Sequence, residues 1–327
     1  MTPPEQDDAG ARVFDFFTSV PTPERIALEI RSWGTEPGYL EMFGRRWSTL
    51  LGLDPATIAA VAGLPAQDFV ARASSMLAPE LPDLARSLDL LRNAGIARAV
   101  VHRPLPVDVE VADDLTAELV SLAPDLLVGF ARIDPGLGVD RAVRELRRSV
   151  TTLGMAGVTL TPFWAGIAAD DPALAPVFTT ASELGVPVWI HTSMHHRRQV
   201  PLEIEHPRHI DVLAGRYPEL KIVCGHGGWP WVLELSAVAW RHRNVWIDVS
   251  AFRIRNVFQS GTGWDPLIIY GGKVISDRIL FGTTWSLLGI TPEQAVTEAA
   301  SAPWPHEVRR RWLYENAARL LELEDDG

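Results

Sequence analysis

The sequence predicts an α/β protein, a (β/α)8 (TIM) barrel with a mostly helical insertion after its first strand. Three observations predict it. Eight short apolar runs, rich in β-branched residues, recur along the 327 residues. Between them lie longer stretches whose apolar residues return every three to four positions, the period of a helix. The runs are apolar throughout rather than alternating, as strands buried on both faces of a parallel sheet are. Eight such units in one chain favour a closed barrel over an open doubly wound sheet, which remains the alternative. A single domain over residues 1–327 follows.

Residues 12–17 form the first strand. Residues 20–80 break the alternation, because Pro21, Pro37, Gly38, Pro55 and Pro65 punctuate helical pieces and no run reads as a strand. An insertion after strand 1 of a barrel leaves from the face where sites are built, so 20–80 is expected to act as a lid. Helical periodicity over 82–94 leads into strand 2 at 96–101. The chain then alternates strand and helix: strands at 126–131, 157–162, 186–191, 220–225, 245–250 and 278–283. The helical stretches are 111–123, 139–153, 173–184, 207–217, 230–242 and 266–275. The acidic tail 322–327 reads as a frayed end.

Composition narrows the partners. With 30 Lys and Arg against 41 Asp and Glu, the formal charge is −11, which argues against nucleic acid or an anionic membrane. The 47% hydrophobic and 22% charged content suits a folded core. Cys224 is the one cysteine, so neither an internal disulfide nor a multi-cysteine metal cluster is available. No apolar run reaches the ~18 residues of a membrane span, and the first residues are acidic and polar, unlike a secretory signal. A cytoplasmic protein with a small-molecule substrate is the expectation.

In a barrel, chemistry belongs to polar residues at the C-terminal ends of strands. Those candidates are Asp15 and Ser19 after strand 1, His102 and Arg103 after strand 2, and Arg132 and Asp134 after strand 3. Thr161 and Trp164 follow strand 4, and His191, His195 and His196 follow strand 5. His226 ends strand 6, Asp248, Ser250, Arg253 and Arg255 follow strand 7, and Thr284 and Trp285 follow strand 8. Two nearby imidazoles can act as acid and base near neutral pH. Arginines such as Arg103 and Arg253 can bind a carboxylate. Among the 12 tryptophans, Trp164, Trp229 and Trp285 stand just beyond strands, and Phe17 joins them. Together they predict a dry aromatic pocket for a flat substrate.

Five segments, 186–192, 217–231, 244–251, 279–285 and 313–321, make the sequence resemble the amidohydrolase superfamily. The likeness is to its amidohydrolase-related branch, which includes aminocarboxymuconate semialdehyde and resorcylate-type decarboxylases. Their order and spacing cover roughly residues 12–321. The resemblance implies a barrel, a homodimer and one divalent metal at the barrel mouth. It also implies that His191 is a metal ligand in the family and that His226 matches a catalytic histidine.

Two family motifs are broken. Asp-x-His-x-His at strand 1 is here Asp15-Phe16-Phe17-Thr18-Ser19, so Phe17 and Ser19 replace both metal-binding histidines. Phe-Gly-Thr-Asp-Trp at strand 8 is here Phe281-Gly282-Thr283-Thr284-Trp285, so a metal-binding carboxylate is lost. A catalytic zinc normally needs three protein ligands. The sequence therefore predicts no metal and no cofactor. It predicts metal-independent acid–base chemistry by His191 and His226 on an aromatic or conjugated substrate: decarboxylation, elimination, isomerisation or cyclisation. Asp15, Phe17, His102, Arg103, Trp164, Trp229, Arg253, Thr284 and Trp285 are expected to line the substrate. Two alternatives stand beside this. One is a metal-dependent hydrolase or decarboxylase, zinc being the candidate ion, with ligands relocated to His191, His195, His196 and His102. The other is a non-catalytic protein that binds a metabolite or stabilises a partner.

Overall fold

The computed structural model describes residues 12–102 and 109–323. Eight strands follow one another around the sheet in sequence order: β1 (Val13–Thr18), β2 (Ile96–His102), β3 (Leu127–Arg132), β4 (Gly157–Leu160), β5 (Val188–His191), β6 (Ile222–Gly225), β7 (Val245–Val249) and β8 (Ile279–Phe281). Every neighbouring pair from β1 to β8 is parallel. β8 is drawn against β1 by two amides: Thr283 N–H donates to Asp15 Oδ1 at 2.7 Å, and Thr284 N–H donates to the Phe17 carbonyl at 2.9 Å. The result is a nearly closed barrel, as the apolar runs predict. Several strands begin later than those runs. Val186 and Leu220 are buried, yet each lies before its ladder starts, packed in the core shared with the outer helices.

Four helices occupy the segment between β1 and the helix preceding β2: α1 (Pro23–Trp33), α2 (Pro37–Leu51), α3 (Pro55–Ala62) and α4 (Phe69–Leu77). Their starts are written locally. Thr22 and Asp54 each accept a hydrogen bond from a backbone amide of the following turn, with proline in the first helical turn. Beyond them come α5 (Leu84–Asn93), α6 (Val109–Ser121), α7 (Val139–Thr151), α8 (Pro162–Ala165), α9 (Ala175–Glu183), α10 (Pro207–Arg216), α11 (Val232–Arg241), α12 (Ile254–Val257) and α13 (Asp265–Gly271).

Among the described residues three apolar cores result. The largest lies between the strands and the outer helices, and includes Leu146, Phe178 and Trp312. A second belongs to the inserted helices and is built on Ile26, Ile30, Trp47 and Phe69. The third fills the barrel itself with Phe14, Phe16, Phe17, Phe130, Trp189 and Leu280. Large rings there face glycines on neighbouring strands: Trp189 lies over Gly225, and Phe130 over Gly157. At the end of β1 the register slips. Asp15 pairs with Ala99 but Thr18 with Val101, three steps on one strand against two on the other. Such a bulge re-aims side chains, and Phe16 and Phe17 both end up inside the barrel.

Candidate active site

His191 ends β5, and His226 immediately follows β6. Their rings meet edge to face, with centroids 5.0 Å apart. Each is held from behind by a buried acid. His191 Nδ1 lies 3.0 Å from Glu205 Oε2, and the other oxygen of Glu205 accepts the Phe163 amide at 2.9 Å. His226 Nδ1 lies 2.7 Å from Ser250 Oγ, and the Ser250 hydroxyl donates to Asp248 Oδ2 at 2.5 Å. Trp189 Nε1–H donates to that same oxygen at 3.0 Å. The alternation of β7 places Asp248 inside the barrel, with Ser250 two residues on and on the same side.

Burial favours the neutral form of every group here. It lowers His191 to about 3 and pulls His226 well below its ordinary value, the nearby His191 adding to the second shift. It pushes Glu205 well above the carboxylate range and Asp248 up to about 7, the latter against hydrogen bonds from Ser250 and Trp189. Both imidazoles are therefore neutral at neutral pH. His226 also adopts a left-handed backbone conformation with φ 63°, as does Thr284 with φ 41°. Such conformations in non-glycine residues cluster where a site is being shaped.

Phe17 occupies the middle of the mouth. It stacks on His102 with centroids 4.2 Å apart, and stands 4.8 Å from Trp189 and 5.2 Å from His226. His102 is wholly buried, with its ring nitrogens 2.8 Å from Thr159 Oγ1 and 3.1 Å from the Phe16 carbonyl. Asp15 accepts the Thr283 amide and hydroxyl and the Phe17 amide, so it ties β1 to β8. Desolvation raises it to about 6. Thr284 Oγ1 accepts the Ala251 amide at 2.6 Å. Ser19 Oγ accepts from the Arg25 guanidinium of α1 at 3.2 Å.

Other predicted residues lie around this centre. Trp164 stands 5.4 Å from His196 and beneath the Arg197 guanidinium, on the rim. Trp229 donates its indole N–H to the Thr262 carbonyl. Arg253 is paired with Glu298. Trp285 is buried in the outer core, away from the expected substrate-lining role. Arg103 lies outside the described residues. His195 and His196 are buried, 7% and 8% exposed, because Phe163 stacks on the first at 4.8 Å and Trp33 of α1 covers the second at 4.0 Å. Residue-type reasoning missed Glu205, Phe163 and Arg25. Nothing local marks them: Glu205 stands fourteen positions after its partner, two positions after another glutamate, Glu203.

A model of the amidohydrolase family matches residues 64–323, most of the chain. The chain belongs to the amidohydrolase family. Among curated relatives of this amidohydrolase is the gamma-resorcylate decarboxylase of Rhodococcus jostii, 26% identical over 276 residues, 71% of this chain and 82% of that one. The fold matches 5-carboxyvanillate decarboxylase from Sphingomonas paucimobilis with a TM-score of 0.64 and 19% identity, covering 96% of this chain and 100% of that one. It also matches a dihydroxybenzoic acid decarboxylase from Polaromonas sp. JS666 with a TM-score of 0.63 and 18% identity, covering 96% and 97%. That protein was solved with bound manganese and the inhibitor 2-nitroresorcinol.

The manganese corrects one expectation. Loss of the strand 1 and strand 8 motifs predicts a chain without cofactor, but a decarboxylase of the same fold holds a metal. Missing motifs are thus no ground for assigning metal-free chemistry. The residues at the mouth nevertheless do not fit the ion in its inherited place. The Phe17 ring fills it, the Ser19 hydroxyl is bonded to a guanidinium, and the Thr284 hydroxyl to a backbone amide. Among the described residues no group of three or more His, Cys, Asp or Glu comes together to hold a metal. Among them too, no helix is long and apolar enough to cross a membrane.

Proposed function

We propose that this amidohydrolase removes carbon dioxide from a small aromatic carboxylate at the barrel mouth, and that His191 and His226 move the protons. The observation that carries this reading is the pair of neutral imidazoles 5.0 Å apart, each backed by a buried acid. Support for the substrate class comes from the decarboxylase relative, which covers most of both chains, and from the rings of Phe17 and Phe163 against the two histidines. A flat ring suits such walls.

The chemistry asks for two things. The bond from ring carbon to carboxylate must break with its electron pair left on the ring, and that carbon must finish bonded to a proton. Overall, one proton is taken from water and one carbon dioxide is released. A hydroxyl beside the carboxylate would let a base draw its proton, making the ring carbon more basic as an acid delivers its own. Two neutral imidazoles, one presenting a bare nitrogen and the other an N–H, supply both, and proton transfer of this kind is worth ~10²–10⁴-fold.

The test is carbon dioxide release from a panel of hydroxybenzoates, including γ-resorcylate and 5-carboxyvanillate, with manganese supplied and again after chelation. His191→Asn and His226→Asn should each lower kcat by roughly 100-fold or more. Turnover preserved in both variants under either metal condition removes the assignment.

A further inference from the structure

The direction of two hydrogen bonds decides which proton His226 carries. Asp248 Oδ2 receives Trp189 Nε1–H at 3.0 Å and the Ser250 hydroxyl at 2.5 Å. The hydroxyl proton is thereby spent on the carboxylate. The contact between His226 Nδ1 and Ser250 Oγ at 2.7 Å then needs a hydrogen, and the only one left to supply it is on Nδ1. Asp248 is wholly buried, and its Oδ1 has no hydrogen-bond partner. With Asp248 ionised, Oδ2 accepts both of these bonds. The chain then runs in one direction, from His226 through Ser250 to the carboxylate.

We infer that Ser250 and Asp248 are positioning residues that lock His226 in the Nδ1–H tautomer, leaving Nε2 as a bare acceptor at the barrel mouth. This rests on the proposed function and deepens it. His226 becomes the group that takes a proton from substrate, such as a hydroxyl proton beside the carboxylate, and His191 is left as the donor. When Nε2 takes that proton the ring becomes a cation, and the Ser250–Asp248 chain lies behind it to stabilise the charge. The proton returns to the substrate oxygen once carbon dioxide has left, which restores His226, and His191 takes back from water the proton it gave to the ring carbon. A solvated imidazole would divide its population between tautomers; the chain removes that choice before substrate arrives.

The tautomer can be read directly. Uniformly ¹⁵N-histidine-labelled protein gives long-range ¹H–¹⁵N spectra in which protonated and bare ring nitrogens differ widely in shift. His226 is assigned from the resonances missing in His226→Asn. The wild type should show Nδ1 protonated and Nε2 bare. Ser250→Ala should let Nε2–H appear, and should lower kcat by on the order of tenfold or more while leaving KM nearly unchanged. A wild-type His226 protonated at Nε2 overturns the inference, even if Ser250→Ala does not fold. So does a folded Ser250→Ala with unchanged tautomer and kcat. An Nδ1–H tautomer that shifts on Ser250→Ala, in a protein that decarboxylates nothing on the panel, sustains the chain of bonds and removes the proposed function instead.

Discussion

Gly225 is a residue whose identity is fixed by its neighbour. A Cβ there would fall within the Trp189 indole, the ring that also bonds Asp248. Gly225→Ala therefore has to push Trp189 off its place, and overpacking of this kind costs about 1–3 kcal/mol. The expected outcome in urea unfolding is a loss of that size in the wild-type background and a much smaller one in Trp189→Leu, where the ring is gone. Equal losses in both backgrounds would refute the packing argument. At this scale the sequence is partly legible. His191 and His226 stand out as polar residues at apolar strand ends, and the structure brings them together. Glu205 does not stand out, because its value comes from a fold that returns a turn to His191. Trp285 misleads, because its place after a strand end says nothing of which side its ring takes.

The helical insertion is joined to the barrel by one buried cation. Arg25 of α1 donates to Glu29, to Ser19 Oγ and to the His102 carbonyl at the end of β2. Both Arg25 and Glu29 are almost fully buried. Removing one partner of such a pair leaves an uncompensated charge and costs about 3–5 kcal/mol. Arg25→Ala should lose that much stability by denaturant unfolding, and Arg25→Met combined with Glu29→Leu should recover most of it. A single variant with wild-type stability would show that α1 does not rely on this contact. The elements were the most legible level. Apolar runs gave the strands, and Thr22 and Asp54 before prolines mark helix starts. The β1 bulge was not legible, because two adjacent phenylalanines carry no sign of which faces the barrel axis. That bulge seats Phe17 where the family has a ligand, and no periodicity could have shown it.

Over the whole molecule, buried titratable groups oppose one another. Burial lowers His191 and His196 to about 3, and His102 and His226 well below their ordinary value. Below the ordinary histidine pKa of ~6.5 the unfolded chain takes up protons that the folded chain refuses, so these residues reduce stability as pH falls towards their folded values. Asp15 and Asp113 are raised to about 6 and Asp248 to about 7, against 3.8 for a free aspartate. They hold protons in the folded chain that the unfolded chain has released, so they add stability as pH falls through the same range. The two sets offset each other, and deleting one member exposes the term it carried. His102→Asn loses contacts to Thr159 and Phe16, a penalty that is the same at every pH. It also removes one group that resists protonation. Its stability relative to wild type should therefore improve as pH falls from 7 to 5, by up to ~1.4 kcal/mol per pH unit, as measured by urea unfolding at each pH. A difference that stays constant over that range would mean that His102 is protonated as readily in the fold as in the open chain, which its full burial beside Phe17 and Phe130 argues against.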